Sequence, residues 1–195
     1  MEVFILFFLI LLNGLFVLSE IALISARKPR LESMAEKGDK RARTALELSN
    51  NPDIFLSAAQ IGITLIAILT GVYSGEKFSG YLQPFFEDIP ALQRYAKTIS
   101  TTMIVIIVTF LSIVLGELIP KRIGLINSEG ISKIVALPML LFAKLTYPIV
   151  WLLNRTSNIF FRLFNIRATR ENTVTEDEIR AIITEGTESG SVEEE

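Results

Sequence analysis

Three long apolar runs dominate the first two thirds of the chain. They occupy residues 3–26, 54–75 and 98–116, and only isolated polar residues interrupt them. A helix needs about 20 such residues to cross the hydrocarbon core of a bilayer. Because each run is about that long, the pattern predicts an all-α membrane protein with three transmembrane helices.

A fourth apolar run, at residues 131–154, is harder to interpret. It is long enough to span a membrane, but Pro138, Lys144 and Pro148 divide it into two short pieces. If it crossed, the basic residues that follow would lie outside, against the positive-inside tendency; they are Arg155, Arg162, Arg167 and Arg170. We therefore predict that it forms a re-entrant or juxtamembrane helical hairpin, which keeps these arginines in the cytoplasm.

The segment between the first two runs has a different periodicity. In residues 29–49, apolar side chains recur at helical spacing among Lys, Arg and Glu, which predicts an amphipathic interfacial helix on the inner membrane surface. A solvated cytoplasmic hairpin is the alternative. Asn51 and Pro52 then indicate the start of the second transmembrane helix, as its cap and first-turn residue. Residues 74–97 form a connection of mixed charge that we expect on the outer side.

Composition supports a membrane location and narrows the possible chemistry. Of the 195 residues, 50% are hydrophobic, and the mean hydropathy is +0.47, which is too apolar for an ordinary soluble domain. The chain has no cysteine and no histidine, which excludes disulfides, thiol catalysis and serine–histidine triads. No enzyme signature is present, so we expect a protein without catalytic activity. Any bound metal must be held by oxygen ligands.

The most informative stretch, LSIVLGELIPK, closes the third run at residues 111–121. Glu117 is the first charge of that run, and a carboxylate at such a position indicates a functional site by default. Pro120 has no N–H to donate to the carbonyl of Gly116, four residues earlier. The stretch therefore offers two hard oxygens, which suit a hard cation. The alternative is a glutamate that reaches the membrane edge before a helix-ending proline.

Polar and small residues in the other two runs are further candidates. Asn13 and Glu20 lie seven residues apart in the first run and share one face of a helix, with Ser19 beside Glu20. Serines in membrane helices often bond their own backbone. In the second run, close helix packing is the favoured explanation of Gly62, and exposure of its backbone to an ion is the alternative.

From Asn172 onward the composition becomes soluble and acidic. Thr175 and Glu178 have the spacing of a capping box, which predicts the start of a helix. We therefore divide the chain into a transmembrane domain at residues 1–170 and the acidic start of a cytoplasmic region at residues 171–195.

Four segments together carry a resemblance to a known family: NGLFVLSEIALISARKPRLE (13–32), NPDIFLSAAQIGITLIAIL (51–69), GELIPK (116–121) and VTEDEIRAIITEGTESGSVEEE (174–195). They resemble the CorC/cyclin M (CNNM) family, whose membrane part is the DUF21 domain. The resemblance implies export of Mg²⁺ across the cell (inner) membrane, coupled to Na⁺, by a homodimer. It also implies that cytoplasmic CBS domains follow the transmembrane domain.

The resemblance also implies that Glu117, Ser19 and an oxygen near Gly62 hold the metal. With the Gly116 carbonyl described above, the predicted metal-binding residues are Ser19, Gly62, Gly116 and Glu117. Cyclin M relatives have asparagines in this part of the second helix, where this sequence has Ile63 and Ala67. A backbone carbonyl or Gln60 would therefore have to substitute, or the site would lack one ligand.

Two functions of different classes fit these features. One is a transporter that exports Mg²⁺ through an inward-open site of oxygen ligands, where the ion loses its water. The other is a membrane anchor, scaffold or divalent-cation sensor for a cytoplasmic CBS domain. Direct binding of a cation to this chain would distinguish them.

The arginines after residue 154 also predict the orientation: the N-terminus faces outside and Glu195 faces the cytoplasm. Single cysteines at positions 80 and 170 of this cysteine-free chain can be exposed to a membrane-impermeant thiol reagent in intact cells. We expect labelling at position 80 and none at position 170. The reverse result would contradict the predicted orientation, and labelling at both positions or at neither would contradict the three-crossing topology.

Overall fold

The computed structural model describes residues 1–164, which are almost entirely helical. This confirms the predicted all-α membrane fold. The helices are α1 (Glu2–Ser25), α2 (Lys28–Glu36), α3 (Lys40–Asn50), α4 (Pro52–Glu87), α5 (Ala96–Ile113), α6 (Ile119–Ile126) and α7 (Ser128–Leu163). A 3₁₀ turn at Gln93–Tyr95 precedes α5, and a π-helical turn at Val114–Leu118 joins α5 to α6 without a break.

The three predicted transmembrane runs form a bundle in which α4 packs against both α1 and α5. Helix α4 runs antiparallel to α1, because the Tyr81 hydroxyl near its end donates a hydrogen bond of 2.9 Å to Glu2 at the start of α1. It continues to Glu87, so it includes much of the predicted connection at residues 74–97. At about 1.5 Å per residue it is roughly 54 Å long and therefore exceeds the thickness of a bilayer core.

Helix α1 and the continuous helix that contains α5 and α6 are parallel and very close. A Cβ atom added to Gly116 would lie 3.1 Å from the carbonyl oxygen of Ile10, and one added to Gly124 would lie 3.2 Å from that of Leu18. Eight residues later on both helices the contact recurs, so the two helices run in the same direction. Glycines permit this approach because a side chain at either position would press on backbone.

Residues 28–50 form two short helices rather than the single amphipathic helix that the sequence predicts. The chain turns at Gly38, whose φ of 91° is a left-handed conformation that favours glycine. Asp39 then caps α3, since its carboxylate accepts hydrogen bonds from the backbone N–H groups of Arg41 and Ala42 at 2.9 and 3.2 Å. The apolar periodicity was therefore correctly identified, but the break within it was missed.

Asp39 also anchors α7. The Lys133 ammonium donates a hydrogen bond of 3.0 Å to its second carboxylate oxygen. This bond, reinforced by the α3 backbone N–H groups, lowers the pKa of the Asp39 carboxyl below its ordinary value. A lowered pKa means that the contact stabilises the fold at neutral pH and is lost only as the pH falls through that folded-state pKa.

The predicted hairpin at residues 131–154 is wrong, because α7 is one continuous helix that contains both Pro138 and Pro148. A proline removes one backbone hydrogen bond, and a membrane helix tolerates that loss when neighbouring groups compensate. Near the start of α7, Glu129 forms an ion pair with Arg30, which follows α1 in the chain. Farther along α7, the Phe142 ring contacts Phe16, in the middle of α1. The first half of α7 is therefore antiparallel to α1.

Length and composition make α7 a fourth candidate for a membrane span, beside α1, α4 and the continuous helix at Gln93–Ile126. Its buried residues pack where α1 ends and α4 begins. This main cluster comprises Leu23, Ala26, Leu31, Ala42, Ala45, Leu48, Phe55, Ala59, Val135, Ala136 and Met139. The number of crossings, three or four, stays a prediction that the labelling experiment above decides.

The contacts divide the chain into two compact units, Met1–Leu152 and Leu153–Glu195. The described part of the second unit is the end of α7 together with Phe164, and its side chains are exposed. The predicted capping box at residues 175–178 and the predicted domain boundary after residue 170 lie outside the described residues.

The close approach of α1 predicts an effect of adding one methyl group. A Cβ atom on Gly14 would lie 2.9 Å from the ring of Pro120 and 3.2 Å from the Leu115 carbonyl oxygen, so Gly14→Ala must push the helices apart. We expect Gly14→Ala to lower the thermal stability of the detergent-solubilised chain. The matched control is Gly80→Ala, also within a helix, where nothing lies within 4 Å of the added atom. This control should gain up to about 1 kcal/mol from helix propensity; equal melting temperatures for the two variants would contradict the packing.

Candidate cation site

Glu117 lies in the π-helical turn that joins α5 to α6. In this turn the N–H of Ile119 bonds to the carbonyl of Val114, five residues earlier instead of four. Pro120 follows immediately, and its missing N–H is the sequence signal for the irregularity. Such π-helical turns are frequent at functional sites because they redirect side chains and carbonyl groups. Ala96 lies roughly 30 Å before Glu117 along the helix, so Glu117 lies near one edge of a bilayer core.

The Gly116 carbonyl, which we expected to be unpaired, has a partner on α1. The amide nitrogen Nδ2 of Asn13 donates a hydrogen bond of 3.1 Å to it. The partner is a side chain 103 residues away in the sequence, and the close approach of Gly116 to α1 allows it. The oxygen that Pro120 leaves without its helical donor therefore joins two helices.

Asn13 brings a second oxygen to the same place. Since Gly116 O can only accept, the Asn13 amide must direct its NH₂ group there, which fixes the position of its own carbonyl oxygen, Oδ1. Oδ1 is buried and has no hydrogen-bond partner. A buried acceptor without a partner is costly, and each one in a native protein calls for an explanation. A cation or a water molecule would satisfy it.

Asn13 and Glu117 line one cavity of about 280 Å³ between α1, α4 and α5. Most of its walls are apolar, but four hydroxyl side chains also line it: Thr70, Ser74, Thr109 and Ser112. The first two already donate to backbone oxygens of their own helix, Thr70 to Ile66 at 2.7 Å and Ser74 to Gly71 at 3.1 Å. Their remaining lone pairs can accept from water or face a cation.

Ser19 is not brought into this cavity. It is 2% exposed, and its hydroxyl donates to the carbonyl of Leu15 at 2.7 Å, the local bond that membrane serines often make. It lines a different pocket, of about 300 Å³, between α1 and α7. Its role as a ligand stays a prediction, and it would require α1 to present another face to the ion.

Gly62 has a packing role in this structure. A Cβ atom there would lie 2.6 Å from the ring of Phe16, and that ring in turn makes an edge contact with Phe142, with centroids 4.8 Å apart. The neighbouring Ile63 and Ala67 do line the Glu117 cavity. This face of α4 therefore borders the cavity, and in this chain it carries apolar groups.

Two more charges lie close to Glu117. Lys121, one turn later, places its Nζ 3.2 Å from Glu117 Oε1, and the two side chains are 42% and 48% exposed. Glu20 on α1 is partly buried and lies within electrostatic range of both. In the part of the chain that the structure describes, no three acidic side chains form a metal-binding group.

The sequence analysis named Glu117 and Gly116 but did not connect Asn13 with them, although Asn13 bonds to Gly116 and lines the same cavity as Glu117. The available signal was an amide in the middle of an apolar run, on the same helical face as Glu20. The hydroxyl groups of α4 and α5 gave no comparable signal, because threonine and serine are common in membrane helices. Only the packing of the helices shows which of them meet in the cavity.

The sequence of this chain is similar to those of several known proteins. The profile of the family described as "Cyclin M transmembrane N-terminal domain" matches residues 4–195. The chain is 46% identical to UPF0053 protein sll0260 of Synechocystis sp. over 194 residues, which are 100% of this chain and 43% of that protein. It is 34% identical to UPF0053 protein YugS of Bacillus subtilis over 188 residues, covering 95% of this chain and 44% of that protein.

A third relative has a name that describes an activity. The chain is 33% identical over 189 residues to the polyamine export protein of Salmonella typhimurium, covering 97% of this chain and 42% of that protein. The chain thus spans less than half the length of these curated relatives.

The hydrogen bond between Asn13 and Gly116 predicts a specific loss of stability. Asn13→Leu retains a similar volume but leaves the Gly116 carbonyl without its donor, which should cost about 1 kcal/mol or more. Asn13→Asp should be at least as harmful, because an ionised carboxylate cannot donate. Gln60→Leu is the control, since the Gln60 amide is exposed and bonds only the hydroxyl of Thr64. Thermal unfolding in detergent measures all three, and a decrease no larger for Asn13→Leu than for Gln60→Leu would contradict this role.

Proposed function

The chain belongs to the cyclin M transmembrane family, and we propose that it forms the ion-translocating domain of a magnesium exporter. The observation that carries this proposal is the cavity in which the Glu117 carboxylate and the Asn13 amide meet at one edge of the membrane-spanning bundle. Family membership and several long apolar helices make the chain a multi-pass membrane protein. Its location in the cell (inner) membrane, with the N-terminus outside and the C-terminus cytoplasmic, is part of the proposal.

The donor set of the cavity suits a hard cation that keeps part of its water. Mg²⁺ prefers six oxygen ligands, dehydrates reluctantly and is usually bound by one or two carboxylates together with water. Glu117 supplies the negative charge that offsets dehydration, and Asn13 Oδ1 supplies a neutral oxygen that has no other partner. The hydroxyls of Ser112 and Thr109 lie farther along the cavity and would accompany the ion away from Glu117.

Export requires the site to open alternately to the two sides of the membrane. In the proposed orientation, Glu117 lies near the cytoplasmic edge, so Mg²⁺ loads from inside, and the helices then move to open the cavity outward. Na⁺ entering the cell would occupy the same carboxylate during the return step. The proposal also includes a homodimer formed through the membrane helices, which light scattering in detergent would detect.

Polyamine export is a second candidate, which one feature of the cavity favours. Ile63 and Ala67 give it apolar walls where the family resemblance suggests asparagines, and apolar walls suit the methylene chain of a polyamine. A relative with 33% identity is named a polyamine export protein. Glu117 would then pair with an ammonium group of the cargo. If the chain binds neither kind of cation, the function as a membrane anchor or scaffold is favoured instead.

Measurements of cation binding test the proposal and separate the candidates. We expect Mg²⁺ to raise the melting temperature of the wild-type chain in detergent, because a ligand of the native state stabilises it. Glu117→Gln retains the shape and removes the charge, so Mg²⁺ affinity, measured by calorimetry, should fall at least about tenfold, or ~1.4 kcal/mol. Glu32→Gln, on the exposed surface of α2, is the matched carboxylate control and should bind like wild type.

The same assay with spermidine decides between the two cargoes. A shift with spermidine and none with Mg²⁺, again abolished by Glu117→Gln, would replace magnesium by polyamine in the proposal. Undiminished Mg²⁺ binding by Glu117→Gln would refute the site. Ser19→Ala shows in parallel whether this hydroxyl reaches the ion in the loaded protein, in which case affinity should fall less than for Glu117→Gln.

A further inference from the structure

The Glu117 carboxylate already has a cationic partner within the protein. Lys121 Nζ lies 3.2 Å from its Oε1. Long side chains on a helix point toward its N-terminus, so a lysine four residues after a glutamate reaches back onto it. A cargo cation that binds Glu117 must therefore displace this ammonium group or share the carboxylate with it.

A second carboxylate, that of Glu20, lies on the neighbouring helix. Glu20 lies in α1 within electrostatic range of both Lys121 and Glu117. The close packing of α1 on α6 positions it, because Leu18 and Ile21, on either side of Glu20 in the same helical turn, contact Gly124. The three charged groups therefore lie where α1 meets the end of the π-helical turn and the first turn of α6.

We propose that Lys121 is an internal counter-ion of the transport site, which occupies Glu117 when no cargo is bound and moves toward Glu20 when a cation takes its place. The inference rests on the proposed function and adds to it a residue that controls when the site binds. The movement itself requires no proton transfer. Lys121 therefore affects cargo binding through Glu117 and does not itself bind the cargo.

Charge balance explains why the movement is needed. Near a divalent cation on Glu117, an ammonium group at its present distance would be repelled, and in a partly desolvated site that repulsion is larger than in water. Glu20 offers a compensating negative charge one helix away. In the empty protein the same ammonium prevents an uncompensated carboxylate at the membrane edge, which would be costly.

Competition gives the inference a measurable consequence. If Lys121 competes with the cargo, Lys121→Met should bind Mg²⁺ at least about threefold more tightly than wild type, measured by calorimetry on the purified chain in detergent. Lys121→Arg keeps the charge and should remain close to wild type. The control is Lys97→Met, an exposed lysine at the other end of the same continuous helix, which should leave Mg²⁺ affinity unchanged.

Glu20 is tested by a double-mutant cycle. In both the wild-type and the Lys121→Met background, Glu20→Gln removes a negative charge near the ion. In the wild-type background alone, it also removes the alternative partner of Lys121. It should therefore weaken Mg²⁺ binding more in the wild-type background than in Lys121→Met, and the difference is the coupling between the two residues. Equal losses in both backgrounds would overturn the role of Glu20 as acceptor.

The outcomes separate this inference from the proposed function. If the wild-type chain binds no Mg²⁺ and no spermidine, the proposed function fails. If the wild type binds and Lys121→Met binds no more tightly, the counter-ion role fails and the proposed function survives. Lys121→Gln provides the same comparison if the methionine variant does not fold. A purely structural role of Lys121 would change the melting temperature without raising affinity.

Discussion

Pro120 has no amide hydrogen, and in a membrane helix the carbonyl that it leaves without a donor must find one elsewhere. The backbone responds with a π-helical turn at Val114–Leu118, and the Gly116 carbonyl accepts a hydrogen bond from Asn13 of α1. Much of the site follows from this replacement. It joins α1 to the third membrane run, places Glu117 at the turn and leaves Asn13 Oδ1 without a partner.

The close packing of α1 borders the cavity, since Ile10 and Asn13 belong to both. Glycines at positions 14, 116 and 124 allow α1 to approach the continuous helix at Gln93–Ile126 almost to backbone contact. Helix α4 then completes a three-sided cavity whose polar residues come from all three helices.

The disagreements between sequence and structure have local physical causes. The amphipathic pattern of residues 29–49 continues through Gly38, but that glycine adopts a left-handed conformation and divides the helix in two. Pro138 and Pro148 suggest breaks that α7 does not have, because a proline removes one hydrogen bond and need not end a helix in a packed or lipid environment. In residues 29–49 the apolar periodicity was identified correctly and only the break at Gly38 was missed, whereas in α7 the two prolines were given the wrong effect.

The sequence by itself determined the helical membrane fold and the family, and it placed Glu117 at the end of an apolar run, because long apolar runs have few interpretations in a bilayer. The tertiary structure decided which oxygens share a site with that charge. Ser19 and Gly62 face α7 and Phe16, whereas Asn13 and the hydroxyls of α4 and α5 meet Glu117. Periodicity along one helix defines its faces but not which neighbouring helix each face contacts, and that choice depends on packing between residues far apart in the sequence.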